Sequence, residues 1–146
     1  MFGSHYEFAY SQRNGYYDNP VVQITMFNGD ERQQHTTAVI DSGAHATNIS
    51  TEWADLLEID YKGLPRTTVR MANSDGKEKE NAWVGSIDIK IEGIPDKINI
   101  YALFVEGLGS RVLLGQRDFF EKFDISFHKG VDTNKFILKK PFKLSW

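Results

Sequence analysis

Asp41 is the side chain whose setting most invites chemistry. It follows the apolar run Ala38-Val39-Ile40 and precedes Ser42-Gly43-Ala44. A strand ending in Val39-Ile40 would hold the acid near an apolar interior. There a carboxylate is costly unless it is protonated or paired, so its surroundings control its charge. Ser42 adds a hydroxyl that both donates and accepts, and Gly43 allows another backbone or a ligand to come close. The plain alternative is a turn, since Asp, Ser and Gly all favour turns for ordinary backbone reasons.

Three features weigh against a mere turn. A β-branched pair leads directly into the acid, which a surface turn would not need. A polar tip at Asn73-Ser74-Asp75-Gly76 lies about thirty residues on. Near the end of the domain, Val112-Leu113-Leu114-Gly115 stops an apolar strand just before a stretch with Phe119, Phe120 and Phe123 at helical spacing. This second element echoes the first, apolar strand then glycine turn then short helix, over too few residues to establish a repeat.

The elements that must position these residues are mostly short strands. Val22, Ile24 and Met26 alternate with Gln23 and Thr25, the period of a half-buried strand. Asn28-Gly29-Asp30 signals a hairpin into a strand over 34–40. A weak helical turn is expected at 51–57. Strands are expected at 67–72 and through Ile87, Ile89 and Ile91, with Ser86, Asp88 and Lys90 on the opposite face. Further strands follow at 98–105 and 112–114, a helix over 116–123, and a closing hairpin from 124–128 and 135–138. Residues 1–19 show no clear period and read as an extension, mobile or held to a surface by its aromatics. The pattern predicts a closed or sandwiched β architecture.

Bulk composition narrows the function. The chain has 146 residues, room for one ordinary domain. A net charge of −3 gives no broad basic surface, so nucleic acid is not expected as the main partner. With no cysteine, disulfides, thiolate nucleophiles and cysteine-ligated metals are excluded. There is no apolar run of signal-peptide or membrane-spanning length, so the expectation is a cytoplasmic protein without membrane contact, or a domain of a longer chain.

Taken in order and spacing, these motifs resemble those of the retroviral-type aspartic proteases, the retropepsins, and especially their cellular and bacterial relatives. The resemblance runs from about Val21 to about His128. Asp41-Ser42-Gly43-Ala44 matches the family's Asp-Thr/Ser-Gly-Ala signature, and Val112-Leu113-Leu114-Gly115 its second apolar-apolar-Gly element. Val69 to Trp83 matches the flap hairpin, with Ala72, Asn73, Ser74, Asp75 and Gly76 as candidate substrate-binding residues. The resemblance implies a mostly-β, retropepsin-like closed barrel with one or two short helices over residues 20–128. It is flanked by the extension 1–19 and by a strand and tail at 129–146.

The same resemblance implies an aspartic endopeptidase acting on polypeptides, with neither metal nor other cofactor. One Asp-Ser-Gly per chain implies a homodimer in which two Asp41 carboxyls share a proton. The rival expectation is a non-catalytic dimer that binds peptides, or assembles a larger complex, through the same groove. Self-processing within a longer precursor is a third. Two departures stand out. His45 occupies the position where many viral members carry an acid, and Arg117 lies one residue beyond the expected arginine.

The remaining candidates have simpler readings. His5, His35, His45 and His128 lack the spacing of a helical metal site. Asn48-Ile49-Ser50 fits a glycosylation sequon but falls in an expected strand. Lys77-Glu78-Lys79-Glu80 reads as a solvated hairpin arm. Trp53, Trp83 and Trp146 read as core or interface residues, and Asp118 as the opener of the last helix.

Overall fold

The structure is a computed structural model that describes residues 5–12, 19–70, 79–130 and 134–141. Its centre is a ring of six strands. β2 (Val21–Asn28) and β3 (Arg32–Ile40) form the expected hairpin, turning at Gly29 with φ of 65°. A residue with a Cβ is strained there, which explains glycine at the turn. β4 (Thr47–Ser50), β6 (Lys79–Ile91), β7 (Lys97–Val105) and β8 (Val112–Leu114) complete the ring in the order β2-β3-β8-β4-β7-β6. Pairing of Ile24 with Ile91 through Phe27 with Asp88 closes it. β5 (Arg66–Arg70) hangs outside the ring on β6.

Closure buries one face of every strand. Val22, Ile24 and Met26 point inward from β2, and Ile87, Ile89 and Ile91 from β6, as their alternation predicts. Ile98, Ile100, Ala102 and Phe104 join them from β7. Each large aliphatic side chain so removed from water contributes roughly 1.5–3 kcal/mol. Trp83 packs edge-on against Tyr61 at 5.0 Å, and the half-buried Trp53 donates from Nε1 to Ser110 O at 2.9 Å. Both are structural, and Trp146 lies outside the described residues.

Among the described residues two short α-helices flank the barrel. α1 (Thr51–Leu56) starts where the Ser50 hydroxyl accepts the Glu52 amide at 3.1 Å. α2 covers only Phe119–Lys122, shorter than the expected 116–123. The amides of Gln116 and Arg117 are drawn instead to the carbonyls of Ala44 and His45. Asp118 then opens the helix at φ 69°, its amide donating to Glu121 Oε1 at 3.3 Å.

A second sheet joins β1 (His5–Ala9), β10 (Asn134–Lys139) and β9 (Asp124–Lys129) in that order. The β9–β10 hairpin was expected and β1 was not. Tyr6, Phe8 and Tyr10 do recur at every second position, and that period makes β1 a strand. Phe8 stacks on Phe136 at 5.3 Å and Tyr10 meets the same ring edge-on at 5.6 Å. Burial pushes the Tyr10 phenol above its ordinary value. Among the described residues no helix is long and apolar enough to cross a membrane.

Candidate active site

Asp41 leaves the barrel at the end of β3, beside the element that echoes it. Val39 and Ile40 pair in parallel with Leu113 and Leu114, so the two apolar runs of the sequence lie next to each other. One continues into Asp41, the other into Gly115. The Asp41 amide donates to Leu114 O at 2.9 Å, and the Ile40 amide to Pro20 O at 2.8 Å. Beyond the acid, the Gly43 amide donates to Asp41 Oδ1 at 2.9 Å and the Ala44 amide to Asp41 O at 3.1 Å. A Cβ at Gly43 would stand 3.2 Å from that carboxylate oxygen.

The loop is clamped from below. Gln116 donates through its backbone to Ala44 O at 2.9 Å and through Nε2 to Ser42 O at 2.5 Å. The Arg117 amide reaches His45 O at 2.8 Å. The Gly115 amide donates to the hydroxyl of Thr47, a fully buried side chain, at 3.2 Å. A Cβ on Gly115 would collide with the Ala46 carbonyl and stand 2.9 Å from Ala44 O. The second apolar-apolar-Gly element therefore ends in glycine because the loop carrying the acid lies directly on it.

Asp41 is half-buried and Ser42 and Gly43 are exposed. Asp41 lines a recess of about 470 Å³ together with Tyr10, Pro20, Val39, Phe127 and Lys129, and among the described residues it is the one acid there. Lys129 Nζ sits 4.8 Å from the centre of the Tyr10 ring. Tyr10, Thr47 and Gln116 were not singled out from sequence. Gln116 had a signal, standing directly after the glycine; the other two had none.

The other expected residues are placed as follows. Ala72, Asn73, Ser74, Asp75 and Gly76 lie outside the described residues. The arms that carry them pair in register from Arg66 with Trp83 to Arg70 with Lys79, and Val69 packs on an apolar cluster that includes Ala46 and Leu103. Arg117 lays its guanidinium over the Tyr101 ring at 3.8 Å, where viral members place an ion pair. His5 contacts Glu7, and His35 contacts the Thr25 hydroxyl at 2.7 Å. Among the described residues no three His, Asp or Glu side chains gather as a metal site.

Comparison with known proteins agrees with this architecture. A family model described as "gag-polyprotein putative aspartyl protease" matches residues 25–122. The chain belongs to this retropepsin-like aspartyl protease family. It also resembles the crystal structure of a retropepsin-like aspartic protease from Rickettsia conorii, with a TM-score of 0.60 and 18% identity over 96% of this chain and 95% of that one. A second likeness is to the retroviral protease-like domain of Ddi1 from Leishmania major, with a TM-score of 0.50 and 15% identity over 86% and 98%. At such identities the likeness speaks to fold. A search of curated proteins gives no match.

Proposed function

We propose that this chain is an aspartic endopeptidase that works as a homodimer, each copy supplying Asp41. The observation that carries the reading is the pairing of β3 with β8. The two runs end side by side, yet only one ends in an acid, and among the described residues no second acid lines its recess. A two-fold copy brings the second carboxyl, and Ser42 and Gly43 surround the pair.

Two carboxyls held that close share one proton, the general behaviour of the aspartic-protease dyad. The ionised partner takes a proton from a water, which attacks the peptide carbonyl. The protonated partner donates to the carbonyl oxygen, and the tetrahedral intermediate breaks as the first carboxyl passes the proton it took to the leaving nitrogen, releasing the amine. No bond forms between enzyme and substrate. The Gly43 amide on Asp41 Oδ1 keeps the carboxylate oriented for both steps. The β5–β6 hairpin closes over an extended peptide, which pairs through its backbone while its side chains alternate into pockets.

The surface around Asp41 suits a second copy. Among the described residues β9 is an edge strand, and Phe127 on it is 45% exposed beside the recess. An unpaired edge carrying an exposed aromatic is a natural place for chains to associate.

The test is a peptide library incubated with the wild type and with Asp41→Asn from acid to neutral pH. Cleavage by the wild type, lost in the variant while its near-UV circular dichroism and dimer persist, supports the reading. Peptide binding without turnover by the wild type would instead favour a non-catalytic peptide-binding module.

A further inference from the structure

One row of side chains crosses five strands on the barrel's outer face. Val39 on β3 pairs with Leu113 on β8, Leu113 with Asn48 on β4, Asn48 with Leu103 on β7, and Leu103 with Val84 on β6. Residues paired in register share a face, so these five point the same way. Ile40, Leu114 and Ile49, their neighbours in sequence, point into the barrel core. Asp41, just past the end of β3, lines the same recess as Val39.

Four members of the row are apolar, and Asn48 is a carboxamide set between two leucines. Its side chain is partly exposed, while Oδ1 is buried and has no hydrogen-bond partner. A buried acceptor left so costs roughly 1–3 kcal/mol, and leucine at that position would not incur it. A bridging water needs two to four polar partners, and the side chains paired with Asn48 across the neighbouring strands, Leu103 and Leu113, offer none. Asn48 also lies close to the acid. Strands stand about 4.8 Å apart, so the row passes from Val39 to Asn48 in roughly 10 Å, a few residues of extended peptide.

We propose that Asn48 is a specificity-determining residue, its amide oxygen accepting a hydrogen bond from a serine or threonine hydroxyl of the bound peptide. This rests on the endopeptidase reading above. The χ2 torsion of the side-chain amide is broad, so a partial turn short of a flip lets its oxygen meet a donor arriving at the accessible side. A hydroxyl fits best because it gives one hydrogen and leaves little polarity unmatched. A primary amide brings a second donor and an acceptor that two leucines cannot satisfy. A lysine or arginine would lose more hydration there than one neutral acceptor returns. The sequon Asn48-Ile49-Ser50 has no part in this, for the Ser50 hydroxyl is buried and caps α1.

The test compares peptide pairs that differ only as threonine against valine, placed in turn at each position near the scissile bond. Wild type should favour threonine by about tenfold in kcat/KM at one position. Asn48→Leu should lose or invert that preference there and leave the ratios elsewhere unchanged. Identical ratios in the two proteins at every position overturn the proposal, including the case in which Asn48→Leu merely melts higher. If no peptide is cleaved, the same pairs are measured for binding to Asp41→Asn and to the double variant. A threonine preference that disappears with Asn48 then upholds the subsite while the endopeptidase reading falls. Absent or unaltered discrimination overturns the subsite.

Discussion

The amide of Asp41 donates to the carbonyl of Leu114 at 2.9 Å, and this bond ties the acid to the strand that repeats its own approach. β3 and β8 enter in parallel, one ending in an acid and the other in a glycine. The difference is physical. Gly115 must be bare because the loop that carries Asp41 rests on it, with the Ala46 and Ala44 carbonyls where a side chain would begin.

Replacing Gly115 by alanine should therefore destabilise the fold by about 3 kcal/mol through overpacking against backbone that cannot yield. Gly109→Ala is the control. Gly109 has φ of 69° and nothing within 4 Å of its missing Cβ, so alanine there should cost only about 1 kcal/mol of backbone strain. Urea denaturation of both variants separates the two costs. Equal losses would contradict the close approach.

Gln116 positions the loop through the bond from Nε2 to Ser42 O. Gln116→Leu keeps the size and removes the donor. Peptide cleavage should fall about tenfold in kcat with KM nearly unchanged, because the acid is less well held while the peptide groove is intact. An effect confined to KM would show that Gln116 serves substrate binding instead.

The β1 strand should loosen in acid. Glu7 is held below its ordinary value of 4.5, first by the hydrogen bond from Lys135 and then by that from His5. A carboxyl whose folded value is depressed stabilises the fold fully above its unfolded value and loses that contribution as pH falls through the folded one. Amide protection factors for Tyr6 and Phe8 should therefore decline as pH drops below about 4.5, by a modest amount because Glu7 is fully exposed. Glu7→Gln should remove that decline.

Much of the barrel was legible because its strands carry their own period. Ile87, Ile89 and Ile91 alternate without interruption, and all three are buried. Asn28-Gly29-Asp30 marked a hairpin that forms where expected. What local pattern could not supply were features created by distant parts meeting. β1 depends on Phe136 at the other end of the chain, and its aromatic alternation is diluted by His5, Glu7 and Ala9. The start of α2 moved because Gln116 and Arg117 bond to the Asp41 loop rather than to a helix. Around the acid, Asp41 was legible from its apolar approach. Thr47 was not, since its hydroxyl matters only where β4 passes beneath Gly115. Tyr10 joins the recess only because β1 carries it there.

Mixing experiments test most directly whether catalysis needs an acid from each of two chains. Wild type and Asp41→Asn are combined at fixed total concentration, unfolded and refolded together so that copies pair at random, and cleavage is read against the wild-type fraction. If both carboxyls are required, activity follows the square of that fraction, leaving about a quarter at equal parts. Activity falling in direct proportion, to about half at equal parts, would mean one chain carries out the reaction alone and would contradict the account.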